Sequence, residues 1–196
     1  MLNYPAGRKM RIIVSEHIWD FDFQAALQQI SEQRREQALK FKHEQGRRLC
    51  VLAYQLLKQA LCEEYGITEN PIFDYNENGK PSLHGHPEIF FNLSHCKDAV
   101  ACVVSHQPVG IDVESLRQYS ESLAEYCMND EELRQINSSD SPDGEFVRLW
   151  TMKEATIKLR GTTISDGLKD TVDTTRYKYT TVCRRRYIYT VCENLY

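Results

Sequence analysis

Near its start, the 196-residue chain has no apolar run longer than Ile12 to Val14. That is too short for a signal peptide or a membrane span, which needs about 20 apolar residues, so a cytoplasmic protein is expected. No C-x-x-C pair occurs among the seven cysteines, and their number is odd. They read as reduced, mostly core residues, which excludes a disulfide frame and a zinc site. There is no excess of positive charge: 24 Lys and Arg stand against 28 Asp and Glu, a formal net charge of -4. This argues against general nucleic-acid binding while leaving room for local basic clusters. No glycine-rich phosphate loop, internal repeat, low-complexity segment or linker is found. A hydrophobic content of 41% and a charged content of 27% are those of an ordinary globular protein. The length suffices for one domain, or for two halves of about 100 residues each.

Taken in order, the patterns predict a strand at Met10 to Val14, a helix over Phe21 to Ile30 and a second over Ser31 to Phe41. The clearest helix follows, with Leu49, Leu52, Ala53, Leu56, Leu57, Ala60 and Leu61 forming one stripe and Gly66 placed to end it. Arg47 and Arg48 sit at its start, where the helix dipole disfavours cations. Either both are solvated or an anionic ligand binds there.

Asn78-Gly79 predicts a hairpin within Pro71 to Leu83, with Lys80-Pro81 directly after the turn. Lys80 is then a loop charge or a group aimed at a ligand. Three strand-like segments run from Ile89 to Glu114 and predict an antiparallel meander. Asn92 and Ser94 share a face of the first, and His95 lies where it meets a turn, a polar tip able to donate to phosphate.

The last of these segments, Pro108 to Glu114, alternates. Ile111 and Val113 point one way and Asp112 and Glu114 the other, about 7 Å apart along the strand. Two such carboxylates repel unless solvated or bridged by a cation, and a hard divalent ion, magnesium before calcium, suits them. Asp143 to Arg160 predicts a helix that places Glu154 and Lys158 four apart on one face with Trp150 a turn earlier. Glu154 then belongs either to a surface ion pair with Lys158 or to the carboxylate site. Arg176 to Cys183 and Tyr187 to Cys192 read as strands joined by Arg184 to Arg186, a solvated turn or a contact for an acidic protein.

Four blocks in this order, Gly79-Lys80-Pro81, Phe91 to His95, Pro108 to Glu114 and Trp150 to Lys158, resemble the surfactin-type 4′-phosphopantetheinyl transferases. The likeness extends from about residue 30 to 168. It implies an α+β fold of two similar halves related by a pseudo-two-fold, each a small antiparallel sheet with packed helices, divided as 1–109 and 110–196. Coenzyme A would lie between the halves, and a monomer would suffice. The resemblance further implies that Asp112, Glu114 and Glu154 hold Mg²⁺, that Lys80, Pro81, Ser94 and His95 contact the coenzyme, and that Arg48, helped by Arg34, holds its 3′-phosphate. Glu154 and Lys158 would be catalytic, and the acceptor an acyl or peptidyl carrier protein, with no nucleic acid or membrane involved. Departures from the family pattern are Gln37 in place of a second lysine, Gly161 to Ile164 without a second glycine, and an early end after the last strand. The rival expectations are a metal-dependent phosphoesterase acting on coenzyme A and a silent coenzyme A or carrier-protein binding module.

Overall fold

A computed structural model describes residues 10–163, 169–170 and 172–195; Ile164 therefore lies outside the described residues. Strand β1 (Arg11–Ser15) leads into helices α1 (Phe23–Gln28) and α2 (Glu32–Leu39), each started by a side chain that accepts a free backbone N–H. Asp22 accepts from Ala25 N at 3.0 Å and Ser31 from Arg34 N at 3.2 Å. The long helix α3 (Glu44–Tyr65) buries its predicted stripe and stops at Gly66, which takes a left-handed φ of 69°. The Asn78-Gly79 turn joins β2 (Phe73–Tyr75) to β3 (Pro81–Leu83), with Gly79 at φ 78°.

Next come β4 (Phe90–His95), β5 (Val100–Ser105) and β6 (Val109–Ser115), then helices α4 (Glu121–Cys127), α5 (Asp130–Ser138) and α6 (Pro142–Arg160), and finally β7 (Tyr177–Cys183) and β8 (Tyr187–Asn194). Among the described residues the strands form two three-stranded antiparallel sheets, β1-β5-β4 and β6-β8-β7, besides the β2-β3 hairpin. In each three-stranded sheet the last strand in the chain lies between the first and second, and a long helix, α3 or α6, is inserted after the first.

The expected meander of β4, β5 and β6 is corrected here. β5 is already paired on both edges, by β1 and β4, so β6 has no edge to join and starts the second sheet. It remains beside β4 by another route. Asn92 Oδ1 accepts from Ile111 N at 2.9 Å, and Ser94 Oγ accepts from Val113 N at 3.2 Å. Two side chains of β4 thus satisfy the β6 edge that no strand covers, as buried backbone donors require.

Layering follows from the alternation of side chains. Val100, Cys102 and Val104 of β5 pack with the α3 cluster, while Ala101 and Val103 pack with Val109, Ile111 and Val113 of β6. Behind β6 lies α6, which approaches unusually closely at Gly110. A Cβ there would overlap the Ala155 carbonyl oxygen and come within 2.6 Å of Leu159 N, both backbone atoms that cannot step aside. The two three-stranded sheets are also tied through their loops: Arg186 Nη2 pairs with Glu16 at 2.8 Å, and Tyr187 OH donates to the same carboxylate at 3.0 Å. No helix among the described residues is long and apolar enough to cross a membrane.

Gly110→Ala should force β6 and α6 apart. We expect a loss of about 3 kcal/mol, the upper range for overpacking, seen as a melting-temperature drop of roughly 6–12 °C in a chain of this size. Thermal unfolding followed by circular dichroism checks it.

Candidate active site

The side chains of α6 decide which of its faces looks into the cleft. Thr151 Oγ1 lies 2.8 Å from Thr190 Oγ1 of β8, and Lys153 forms an ion pair at 2.7 Å with Glu132 of α5, both ends almost completely buried. Lys153 Nζ also donates to Asp170 O at 2.8 Å. With those faces fixed, Trp150, Glu154 and Lys158, four residues apart, are left facing Asp112 and Glu114 of β6. Trp150 is stacked along Phe146, itself stacked on Tyr119, and donates from Nε1 to Glu114 Oε1 at 3.3 Å.

Asp112 is 3% exposed. Its Oδ1 accepts from Lys158 Nζ at 2.6 Å and from Ser94 Oγ at 2.9 Å, whereas its buried Oδ2 has no partner. Lys158 also donates to Ser94 Oγ at 2.9 Å. Lys158 therefore pairs with Asp112, and the i,i+4 pair with Glu154 considered from the sequence does not form. The remaining carboxylates carry the strain of proximity. Burial first, then the charge of Asp112, raises the proton affinity of Glu114. The same two causes, in the same order, push Glu154 up to about 7, with Lys158 opposing.

Among the described residues, no three His, Cys, Asp or Glu side chains are drawn together as a formed metal centre. The donor set nevertheless fits a hard divalent cation: a buried carboxylate oxygen without a partner, beside two carboxylates that burial and mutual repulsion disfavour as anions.

At the other end of the cleft, Lys80 and Pro81 line a cavity of about 250 Å³ together with Asn78, Asn92, Lys158 and Gly161. Lys80 Nζ donates to Leu159 O at 2.8 Å, and Asn78 Nδ2 to Gly161 O at 3.0 Å. Both satisfy carbonyls that the end of α6 leaves free, and a cation is favoured there by the helix dipole. Burial lowers the proton affinity of Lys80. His95 stands at the end of β4 with its side chain partly accessible; partial desolvation, then the charges of Lys158 and Arg34, hold its imidazole toward the neutral form.

The structure thus brings Asp112, Glu114, Glu154, Lys158 and Ser94 into one cluster, with Lys80, Pro81 and His95 beside it. Ser94 has its donor and both acceptor positions engaged by Asp112, Val113 and Lys158. Arg34 and Arg48 make their own contacts elsewhere, although the charge of Arg34 reaches His95. Arg34 is buried and donates to Cys50 O at 3.1 and 2.8 Å and to Gln37 Oε1 at 2.9 Å, so the glutamine at the expected lysine position binds an arginine. Arg48 lies one turn inside α3, not at its first residue. It pairs with Glu44 at 2.8 Å, and its guanidinium lies 5.1 to 5.4 Å from the rings of Trp19, Phe21 and Phe23. Glu132 and Lys153 were not singled out from the sequence; Glu132 sits three residues after Asn129 in a capping box that is itself legible.

A cluster of carboxylates with one directed ammonium lies beside a cavity edged by a second lysine, an arrangement of charge able to position and neutralise a phosphate. Residues 108–191 match the family model of the 4′-phosphopantetheinyl transferase superfamily. The chain is 35% identical over 142 residues to 4′-phosphopantetheinyl transferase psf-1 of Bacillus pumilus, covering 71% of this chain and 61% of that protein. It is 30% identical over 139 residues to 4′-phosphopantetheinyl transferase Sfp of Bacillus subtilis strain 168, covering 69% and 62%. With 4′-phosphopantetheinyl transferase gsp of Aneurinibacillus migulanus it shares 28% over 151 residues, covering 76% and 61%. The matched stretch therefore spans about three fifths of the length of these relatives.

Removing one end of the Lys153–Glu132 pair leaves a buried charge alone. Glu132→Leu should destabilise the chain by about 3–5 kcal/mol, and the double variant with Lys153→Met by clearly less. Urea unfolding of the two singles and the double checks the cycle.

Proposed function

We propose that the protein transfers the 4′-phosphopantetheine group of coenzyme A to a serine hydroxyl of an apo carrier protein, releasing 3′,5′-ADP, with Mg²⁺ as cofactor. The observation that carries this reading is the meeting of Asp112, Glu114, Glu154 and Lys158 at the seam of two sheets of the same strand order. In this reading the two halves, 1–109 and 110–196, are related by a pseudo-two-fold, and coenzyme A lies between them. The setting is the cytoplasm.

Asp112, Glu114 and Glu154 are the residues that would hold the ion. Bound there, Mg²⁺ would neutralise charge on the pyrophosphate. The chain's own residues do the rest. Lys80 and Pro81 edge the cavity that takes the nucleotide end, with His95 toward the phosphates and Ser94 joining it by turning its hydroxyl from Asp112. Arg48, helped by Arg34, holds the 3′-phosphate; the phosphate must displace Glu44 from the Arg48 guanidinium, and Arg34 must release Cys50 O or Gln37 to assist. Glu154, whose proton affinity burial raises toward 7, accepts the proton of the attacking serine directly or through a water, a role worth about 10²- to 10⁴-fold when well placed. Lys158, already directed into the cleft at Asp112, neutralises the departing phosphate.

Incubation of an apo acyl carrier protein with this chain, coenzyme A and magnesium should add the mass of one phosphopantetheine, and EDTA should abolish the gain. Consumption of coenzyme A without any gain on several carriers would instead favour hydrolysis. Asp112→Asn should reduce transfer by about a thousandfold or more, the scale of losing a principal electrostatic group, while near-UV circular dichroism stays that of the folded chain. Arg48→Ala should raise the coenzyme A KM about tenfold or more, as loss of a charge-assisted contact predicts, and should leave the KM for dephospho-coenzyme A unchanged.

A further inference from the structure

The two carboxylates of β6 are held in opposite ways. Asp112 Oδ1 accepts from the Lys158 ammonium at 2.6 Å, a bond that offsets its charge. Glu114 Oε1 accepts from the indole N–H of Trp150 at 3.3 Å. An indole is a donor only and carries no charge, so it orients a carboxylate without cancelling it and cannot itself become a cation ligand. Only one oxygen of Glu114 is engaged by it, and the carboxylate stays an anion with a free oxygen. Next to it, the buried Oδ2 of Asp112 has no partner.

The indole is held in its turn. Phe146, one turn earlier in α6 and 1% exposed, stacks with Trp150 at a centroid separation of 6.5 Å and 12° from parallel. Tyr119 stacks with Phe146 at 5.2 Å and 16°. Tyr119 is pinned at both ends: its backbone N donates to Asp143 Oδ1 at 3.1 Å, at the start of α6, and its hydroxyl donates to Asn137 Oδ1 of α5 at 3.4 Å. Tyr119 also lies only five residues after Glu114, on the segment that leaves β6. A ring of contacts therefore closes on Glu114. It runs along the backbone to Tyr119, through the stacked rings of Phe146 and Trp150, and back through the N–H bond. A glutamate left free would have to surrender its rotamer freedom on binding an ion; this one has surrendered it on folding.

We propose that Trp150 is a positioning residue for the divalent cation: its indole N–H presets the Glu114 carboxylate for the ion, and the stack of Phe146 and Tyr119 presets the indole. The proposal rests on the reading of Asp112, Glu114 and Glu154 as the residues that hold Mg²⁺. Hydrogen-bond partners of ligating groups are typically worth about 10- to 100-fold in metal affinity, because they fix the ligand's orientation before the metal arrives.

The test is Mn²⁺ binding, in place of Mg²⁺, to the full chain with coenzyme A present and carrier protein absent, read from the electron paramagnetic resonance of the free ion. With no acceptor the readout is independent of transfer. Trp150→Phe keeps a ring beside Phe146 and removes the N–H; it should raise the Mn²⁺ Kd about tenfold or more, with near-UV circular dichroism still that of a folded chain. Added to Glu114→Ala, whose own Kd is already raised, Trp150→Phe should change the Kd by less than about twofold, since the carboxylate it acts through is gone. A role in packing alone would cost the same factor in both backgrounds. Fluorescence supplies a reading that leaves Trp150 in place. Trp19 is the other tryptophan of the chain, so in Trp19→Phe the emission of Trp150 should change saturably with Mg²⁺, and should no longer do so once Glu114→Ala is added. An unchanged Kd in folded Trp150→Phe, or equal losses in both backgrounds, overturns the positioning role and leaves the cation site standing. If Trp150→Phe does not fold, emission indifferent to saturating Mg²⁺ overturns it. A wild-type chain that takes up no Mn²⁺ removes the cation reading, and the positioning role with it.

Discussion

β6 bonds as a strand along one edge only, and the architecture turns on how its other edge is satisfied. Asn92 and Ser94 accept the amides of Ile111 and Val113, so side chains of one sheet complete a strand of the other. The same serine hydroxyl donates to Asp112 and accepts from Lys158, so backbone completion and the placing of the site charges share one atom. An unpaired buried donor here would forfeit about 1–3 kcal/mol, which makes the polar face of β4 a structural requirement. Around this seam, Gly110 admits α6 to contact distance, and the Lys153–Glu132 pair sets its rotation. Electrostatics then follows from packing: three carboxylates share a region with one ammonium, and Glu114 and Glu154 are both pushed toward protonation.

Local order was well marked in the sequence. The stripe ending at Gly66, the Asn78-Gly79 turn and the alternation of Pro108 to Glu114 each became the element their chemistry predicts, because each depends on near neighbours. The choice of partner strand for β6 was hidden, since alternation specifies a face but not an edge, and only the prior occupation of both β5 edges excluded the meander. α4 and α5 are short and were not read from the sequence, although Asn129 and Glu132 spell a capping box.

At the site, Asp112, Glu114, Glu154 and Lys158 were legible because four ordered blocks resemble one family, and the structure brings them together. Pairing within that group was not legible. Helical spacing offers Glu154 to Lys158, yet Asp112, forty-six residues away in sequence, takes the ammonium because its burial makes an unpaired carboxylate the costlier neighbour. The aromatic surroundings of Arg48 and the buried partner of Lys153 were invisible for the same reason: both are made by residues distant in sequence or unremarkable in type.

The bonds from Lys80 to Leu159 and from Asn78 to Gly161 make a hairpin of the first half the terminal cap of the principal helix of the second. Neither the hairpin nor the end of α6 is then complete without the other. A chimera joining this first half to a second half of different origin would have to inherit the hairpin and the helix end as a matched set, together with the polar face of β4 and the edge of β6. A substitution at Asn78 or Lys80 is thereby felt at the end of α6, and one at the end of α6 in the hairpin.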